Sequence, residues 1–145
     1  MATVRDILAV KGGHVWSVGP DATVLQAAAL MNEHKIGALV VLDGGHIAGM
    51  FTERDVLRRV VGGQRDPATT RVAEVMTPDV VCCKPETTVE EARVAVKDRR
   101  IRHLPVLDGD EKLLGMVSIG DLNAFEAASQ EHTIHLLHEY ISGRA

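Results

Sequence analysis

Two kinds of apolar pattern alternate along the chain, and their order recurs. Val24, Ala27, Ala28 and Met31 fall at helical spacing within 24–34, and Val89, Ala92 and Val96 do so within 89–99. Both stretches predict amphipathic helices, and Thr23 and Thr88 stand directly before them as N-caps. Two short apolar runs follow each helix: Ala38–Leu42 and Ile47–Phe51, then Leu104–Leu107 and Leu113–Val117. These predict strands. Turn formers join each pair, Asp43-Gly44-Gly45 in one case and Asp108-Gly109-Asp110 in the other. Ahead of each helix, His14–Val18 and Val80–Cys83 predict a further strand, while Val4–Leu8 and Val72–Met76 predict a helical turn. A last helix in each half begins at Thr52 or Ser118.

The halves are one pattern written twice. PDATVLQAA (Pro20–Ala28) matches PETTVEEA (Pro85–Ala92), and IGALVVLDG (Ile36–Gly44) matches IRHLPVLDG (Ile101–Gly109), at an offset of 65 residues. GMFTERD (Gly49–Asp55) matches GMVSIGD (Gly115–Asp121) at an offset of 66. The repeats are assigned to 1–66 and 67–128, with the turn-rich GGQRDPATT (62–70) as the linker. In the extension, 129–145, Ile134, Leu136, Leu137, Tyr140 and Ile141 predict an apolar stripe on a helix. Helices around a small apolar sheet indicate an α/β class with α+β character. Neither half is large enough to bury its helices alone, so the two are expected to pack together.

Composition narrows the function. Of 145 residues 46% are hydrophobic but only 3% aromatic, so the core is aliphatic. Sixteen basic and 20 acidic residues leave a formal charge of −4, which argues against a broad nucleic-acid-binding face. No apolar run approaches the ~18 residues of a membrane span, and MATVRDILAV lacks a signal-peptide layout. A cytoplasmic protein is expected, with neither membrane nor nucleic acid as partner. Cys82 and Cys83 are adjacent, which is neither a disulfide framework nor a metal spacing. His132, His135 and His138 spread around a helix rather than converging on one ion, so no metal site is expected. The run Lys97–Arg102 (KDRRIR) reads as a helix end, where cations are favoured. Pro105 inside an apolar run points to an edge or a strand start.

The repeated Thr52-x-x-Asp55 and Ser118-x-x-Asp121 resemble capping boxes. Such boxes usually use Glu or Gln, and the shorter Asp in both copies suggests a second role. Each hydroxyl residue follows a glycine by three, and that glycine is expected to end a turn. A helix N-terminus with a hydroxyl can face an anion, and a neighbouring carboxylate can accept hydrogen bonds from a ribose diol. The combination suits a nucleotide better than a metal.

In order and repetition, these motifs resemble a pair of CBS (cystathionine beta-synthase) domains forming one Bateman module, over about 4–128. The resemblance implies two β-α-β-β-α units packed sheet to sheet about a pseudo-two-fold axis, a homodimer, and a non-catalytic regulatory role toward an unidentified protein. It implies adenine ligands in two clefts: AMP, ADP, ATP, S-adenosylmethionine or NAD. One implied cleft uses Thr52, Arg54 and Asp55, with Val81 and Cys82 beside the base and Arg102 and His103 near phosphate. The other uses Ser118 and Asp121, with Trp16, Ser17, Gly37 and Ala38 opposite. Gly120 replaces Arg54, and Gly37-Ala38 replace Arg102-His103. The second cleft is therefore expected to lack cations on both sides, and the first to take the more phosphate-rich ligand.

Overall fold

The computed structural model describes residues 1–129. The expected helix of the extension, with its apolar stripe and three histidines, lies outside the described residues. In chain order the elements are α1 (Val4–Lys11), β1 (Ser17–Val18), α2 (Val24–His34), β2 (Ala38–Asp43) and β3 (His46–Thr52). Next come α3 (Glu53–Asp55), which runs into a π-helix (Val56–Val61), then α4 (Val72–Val75) and α5 (Val89–Arg99). The second sheet follows as β4 (His103–Leu107) and β5 (Leu113–Ser118), and α6 (Ile119–Ser129) closes the series.

Helices α2 and α5 start and stop where the apolar pattern predicts. Thr23 and Thr88 accept the amide N–H of Gln26 and Glu91 at 3.1 and 3.0 Å. Those two side chains accept the cap amides in return, both at 2.9 Å. Each helix ends on a left-handed residue, Lys35 (φ 53°) or Arg100 (φ 54°). The following amide, of Ile36 or Ile101, then bonds back to the carbonyl of Met31 or Val96.

Strands β2 and β3 form an antiparallel hairpin across Gly44 and Gly45, whose φ values of 60° and 86° suit a two-residue turn. Strands β4 and β5 pair the same way, and both ladders slip at matched places, Val41/Leu42 and Val106/Leu107. The entry strands are shorter than expected. The first is reduced to Ser17–Val18, parallel to β2. The second, expected over Val80–Cys83, survives only as a bridge between Cys83 and Val106. Pro105 accounts for the difference. In the first repeat Val40 donates its N–H to the carbonyl of Trp16 at 3.2 Å. The matching donor in the second repeat would be Pro105, which has no N–H to offer Val81, so the ladder stops. Pro105 nevertheless sits inside β4, its carbonyl accepting from Cys83 at 2.9 Å.

Three apolar clusters make the core, and the helices that complete them are exchanged. Val24, Ala27, Leu39, Val41 and Phe51 of the first repeat are joined by Val72 and Val75 of α4. Val89, Ala92, Leu104, Val106 and Val117 of the second are joined by Val4 and Ile7 of α1. Reciprocal backbone bridges, Thr23 with Arg71 and Thr3 with Thr88, fix this crossing. The third cluster, Ala38, Val40 and Met50 with Val80, Leu113 and Met116, packs one sheet on the other.

The glycines of the GMFTERD and GMVSIGD motifs serve the crossing. They lie within β3 and β5, paired with Val41 and Val106, rather than at the end of a turn. A Cβ on Gly49 would lie 2.7 Å from the Met76 sulfur and the Thr77 carbonyl, and one on Gly115 would lie 2.8 Å from a Leu8 methyl. At Gly49 one close atom is backbone, so only a hydrogen side chain permits the approach, whereas at Gly115 a Cβ would require the Leu8 methyl to move.

The exchange predicts how the chain can be cut. Residues 1–66 alone carry α1 without its partners and lack Val72 and Val75. They are expected to be unfolded by circular dichroism, whereas 14–79, which keeps the first cluster complete, is expected to melt cooperatively.

Candidate nucleotide cleft

Strand β3 ends at Thr52, and the chain turns at once into α3, a helix start whose first amides need partners. The Thr52 hydroxyl accepts from the Asp55 amide at 3.4 Å, and Asp55 Oδ2 accepts the Thr52 amide at 3.0 Å. In the second copy Ser118 Oγ accepts the Asp121 amide at 3.0 Å, and Asp121 Oδ2 accepts the Ser118 amide at 2.8 Å. An aspartate therefore completes the box in both repeats, so its shortness alone does not signal a second role.

What sets Asp55 apart is its setting. It is 5% exposed. Its Oδ2 also accepts the Thr52 hydroxyl at 3.3 Å, and Oδ1 accepts the Thr77 hydroxyl at 3.1 Å. A carboxylate has about four acceptor positions, so a ribose hydroxyl has one left, or two if Thr77 rotates away.

This box opens onto a cleft of about 650 Å³ between the repeats. Thr52, Arg54, Asp55, Val81, Arg102 and His103, the residues implied for the first site, all line it. The cleft adds residues that the motif did not flag: Arg58, Arg59 and Arg100 among the cations, Thr77 and Asp79 among the polar groups, and Met50, Val80 and Ile101 on its apolar side. Arg58 and Arg59 come from the π-helix, a widened turn often found at functional sites. Arg59 is committed to the fold, donating to the Met76 carbonyl at 2.8 Å and standing 3.8 Å from Asp55. The side chains of Arg54, Arg58, Arg100 and Arg102 have no hydrogen-bond or ion-pair partner among the described residues.

His103 stands at the same wall. Burial, with the charges of Arg102 and Lys11, holds its imidazole below the ordinary value, against the opposing pull of Asp121 and Glu53.

Several implied residues lie elsewhere. Cys82 does not line the main cleft. It faces a separate 200 Å³ pocket with His46, Pro78 and Glu111, because neighbours in extended chain point to opposite sides. Cys83 packs into the second core, and burial together with Cys82 pushes its thiol up to about 11. Gly37 belongs to the first cleft, since its carbonyl accepts the Glu53 amide at 3.1 Å. Ala38 is buried opposite Thr52 in the ladder. Trp16 stacks on His34 at 3.5 Å and meets His14 edge-on, while Ser17 is exposed. The second cleft is not without cations either. Lys11, from α1, reaches Asp121 at 2.6 Å. Burial tends to raise the Asp121 pKa, but the Lys11 and Ser118 hydrogen bonds and the Lys11 charge outweigh it, and the net shift is downward.

The CBS domain model matches residues 4–62 and 72–127, the two repeats and little else. The chain belongs to the CBS domain family. Pairs of CBS domains serve as regulatory modules. A solved candidate signal-transduction protein with CBS domains from Burkholderia ambifaria MC40-6 is 41% identical, with 97% of this chain and all of that one covered and a TM-score of 0.85. CBS domain-containing protein YhcV of Bacillus subtilis is 36% identical over 84% of both chains. CBS domain-containing protein CBSX3, mitochondrial, of Arabidopsis thaliana is 36% identical over 97% of this chain and 72% of its own. In this chain no helix among the described residues is long and apolar enough to cross a membrane.

His103 makes the CBS cleft sensitive to pH. Because its folded pKa is lowered, the unfolded chain takes up the proton first, so the empty protein loses stability as pH falls through about 6.5. A bound polyanion would raise that pKa, and binding would then take up a proton. Affinity for such a ligand is expected to increase from pH 8 to pH 6, and His103→Gln should flatten the dependence. Calorimetry in buffers of different ionisation enthalpy measures the proton directly.

Proposed function

We propose that this chain is a non-catalytic sensor of adenine nucleotides, and that the Thr52/Asp55 cleft takes a phosphate-rich one such as ATP or ADP. The observation that carries this reading is the set of four arginines, Arg54, Arg58, Arg100 and Arg102, facing one cleft with no partner of their own. Unpaired guanidinium groups gathered in one place repel each other, and phosphate relieves this through fork-like, charge-assisted hydrogen bonds. The apolar side, Met50, Val80, Val81 and Ile101, suits a flat base. Asp55 and Thr52 suit the ribose and the first phosphate. AMP and NAD carry fewer charges per ligand and are expected to bind more weakly. A solved CBS domain pair, protein MJ0100, was captured with 5′-methylthioadenosine and S-adenosyl-L-methionine, which supports an adenosine-type ligand.

In this reading the nucleotide bridges the repeats and so favours one relative arrangement of them. A regulated protein in the cytoplasm would sense that arrangement. Self-association is part of the proposal. Leu57 and Val61 sit one turn apart on a helix and are each about two thirds exposed, an apolar stripe suited to a second copy. Light scattering on the purified chain tests the dimer.

A second reading has an observation in its favour. Asp55 is already satisfied by Thr52 and Thr77, so it serves as a cap with no ligand present. The chain would then be a dimerisation module with unused clefts.

Calorimetric titration of stripped protein with ATP, ADP, AMP, NAD and S-adenosylmethionine separates the two. The sensor reading expects ATP and ADP to bind more tightly than AMP, with 2.7 kcal/mol of added stability at about 100 times the dissociation constant. Arg54→Ala or Arg102→Ala should each weaken ATP by about 1.5–3 kcal/mol. Arg100→Gly should weaken binding while leaving stability unchanged or up to about 1 kcal/mol higher, because glycine fits the left-handed site better. No heat and no thermal shift with any of the five would favour the dimerisation module.

A further inference from the structure

Among the differences between the two Thr/Ser-x-x-Asp sites, one side chain comes from outside the repeated motif. Lys11 Nζ donates to Asp121 Oδ2 at 2.6 Å and to the Met116 carbonyl at 2.8 Å. In the first cleft the matching carbonyl, of Met50, accepts the Thr77 amide at 2.8 Å, and the matching carboxylate, Asp55, accepts the Thr77 hydroxyl. A single ammonium thus does in one cleft what an amide and a hydroxyl do in the other. The two differ in how readily they yield. A hydroxyl gives way to a ribose by rotating about one bond. An ammonium must break a charged pair and find another solvent shell.

Lys11 is also held in place. Helix α1 extends two turns where α4 has one, and its end lies along β5. A Leu8 methyl presses on Gly115, and Gly13 approaches the Leu114 carbonyl so closely that a Cβ there would lie 2.5 Å away. With the Met116 contact, three successive residues of β5 seat the end of α1. The pair is only partly exposed, 35% for the lysine side chain and 24% for the aspartate.

We propose that Lys11 closes the Ser118/Asp121 cleft to nucleotide, so that this residue decides which of the two clefts is available. The proposal rests on reading the clefts as nucleotide sites. Gly120 stands where the first cleft has Arg54. Once opened, the second cleft therefore has little with which to hold phosphate, and the ligand class it takes is an uncharged nucleoside.

The test uses the full chain titrated by calorimetry with ATP and, separately, adenosine. Wild type is expected to bind one ATP, lost in Asp55→Ala, and to bind adenosine weakly. Lys11→Ala should bind adenosine at least tenfold more tightly. That gain should persist when Asp55→Ala is added and vanish when Asp121→Ala is added. Lys11→Arg should stay closed. Lys11→Met, which keeps the methylenes, replaces the alanine variant if that one loses its cooperative melt. An Asp121-dependent second site in wild type overturns the proposal, as does adenosine affinity in Lys11→Ala within twofold of wild type. Should wild type fail to bind ATP while Lys11→Ala gains Asp121-dependent adenosine binding, the first-cleft reading falls and the lysine's role stands.

Discussion

Each repeat is closed by a helix that enters from the other side of the molecule. A sheet of two or three short strands with the repeat's own two helices leaves an apolar surface open, and α1 and α4 cover it crosswise. The backbone bridges Thr23–Arg71 and Thr3–Thr88 are the fasteners. Everything at the cleft follows from this exchange. It brings Thr77, one residue after the α4 turn and its Met76 cap, onto the Asp55 carboxylate, and it brings Lys11, the last residue of α1, onto Asp121. The glycines at 49 and 115 are the spaces through which the crossing passes.

The pseudo-symmetry is close in the scaffold and broken in the chemistry. Caps, left-handed helix ends and ladder slips repeat with nearly the same geometry. Charge does not. One cleft gathers five arginines against three carboxylates, while the other holds a single internal ion pair at its carboxylate. Duplication supplies two capped turns of one shape, and a few substitutions outside the scaffold positions are enough to make their surroundings unequal.

Much of this was legible in the sequence because it depends on local pattern. The offset of 65 aligned helix ends and hairpins, an offset of 66 aligned both Thr/Ser-x-x-Asp boxes, and helices α2 and α5 fall where the apolar spacing puts them. The residues of the first cleft that belong to the motif, Thr52, Arg54 and Asp55, do line it. What the sequence concealed depends on crossing and on facing. The reach of Lys11 to Asp121 spans 110 positions and comes from a segment with no motif. Arg58 and Arg59 reach the cleft wall from a π-helical turn, which has no clear sequence signature. Cys82 was misplaced by one pleat and Gly37 by one side of a helix start. A signal for Arg100 was present in KDRRIR, but it reads equally well as an ordinary helix end.

Pro105 leaves its mark on the mechanics of the cleft. The backbone carrying Val80 and Val81 hydrogen-bonds to β4 through Cys83 alone, because the next rung of the ladder has no donor, and its side chains are held by packing. The facing wall is a helix start locked by a capping box and a buried carboxylate. One jaw of the cleft is therefore stiff and the other compliant, and local opening is easiest on the compliant side. Anything that wedges into the cleft would displace the second repeat's entry segment, with the capped helix start as the fixed reference against which that displacement is made.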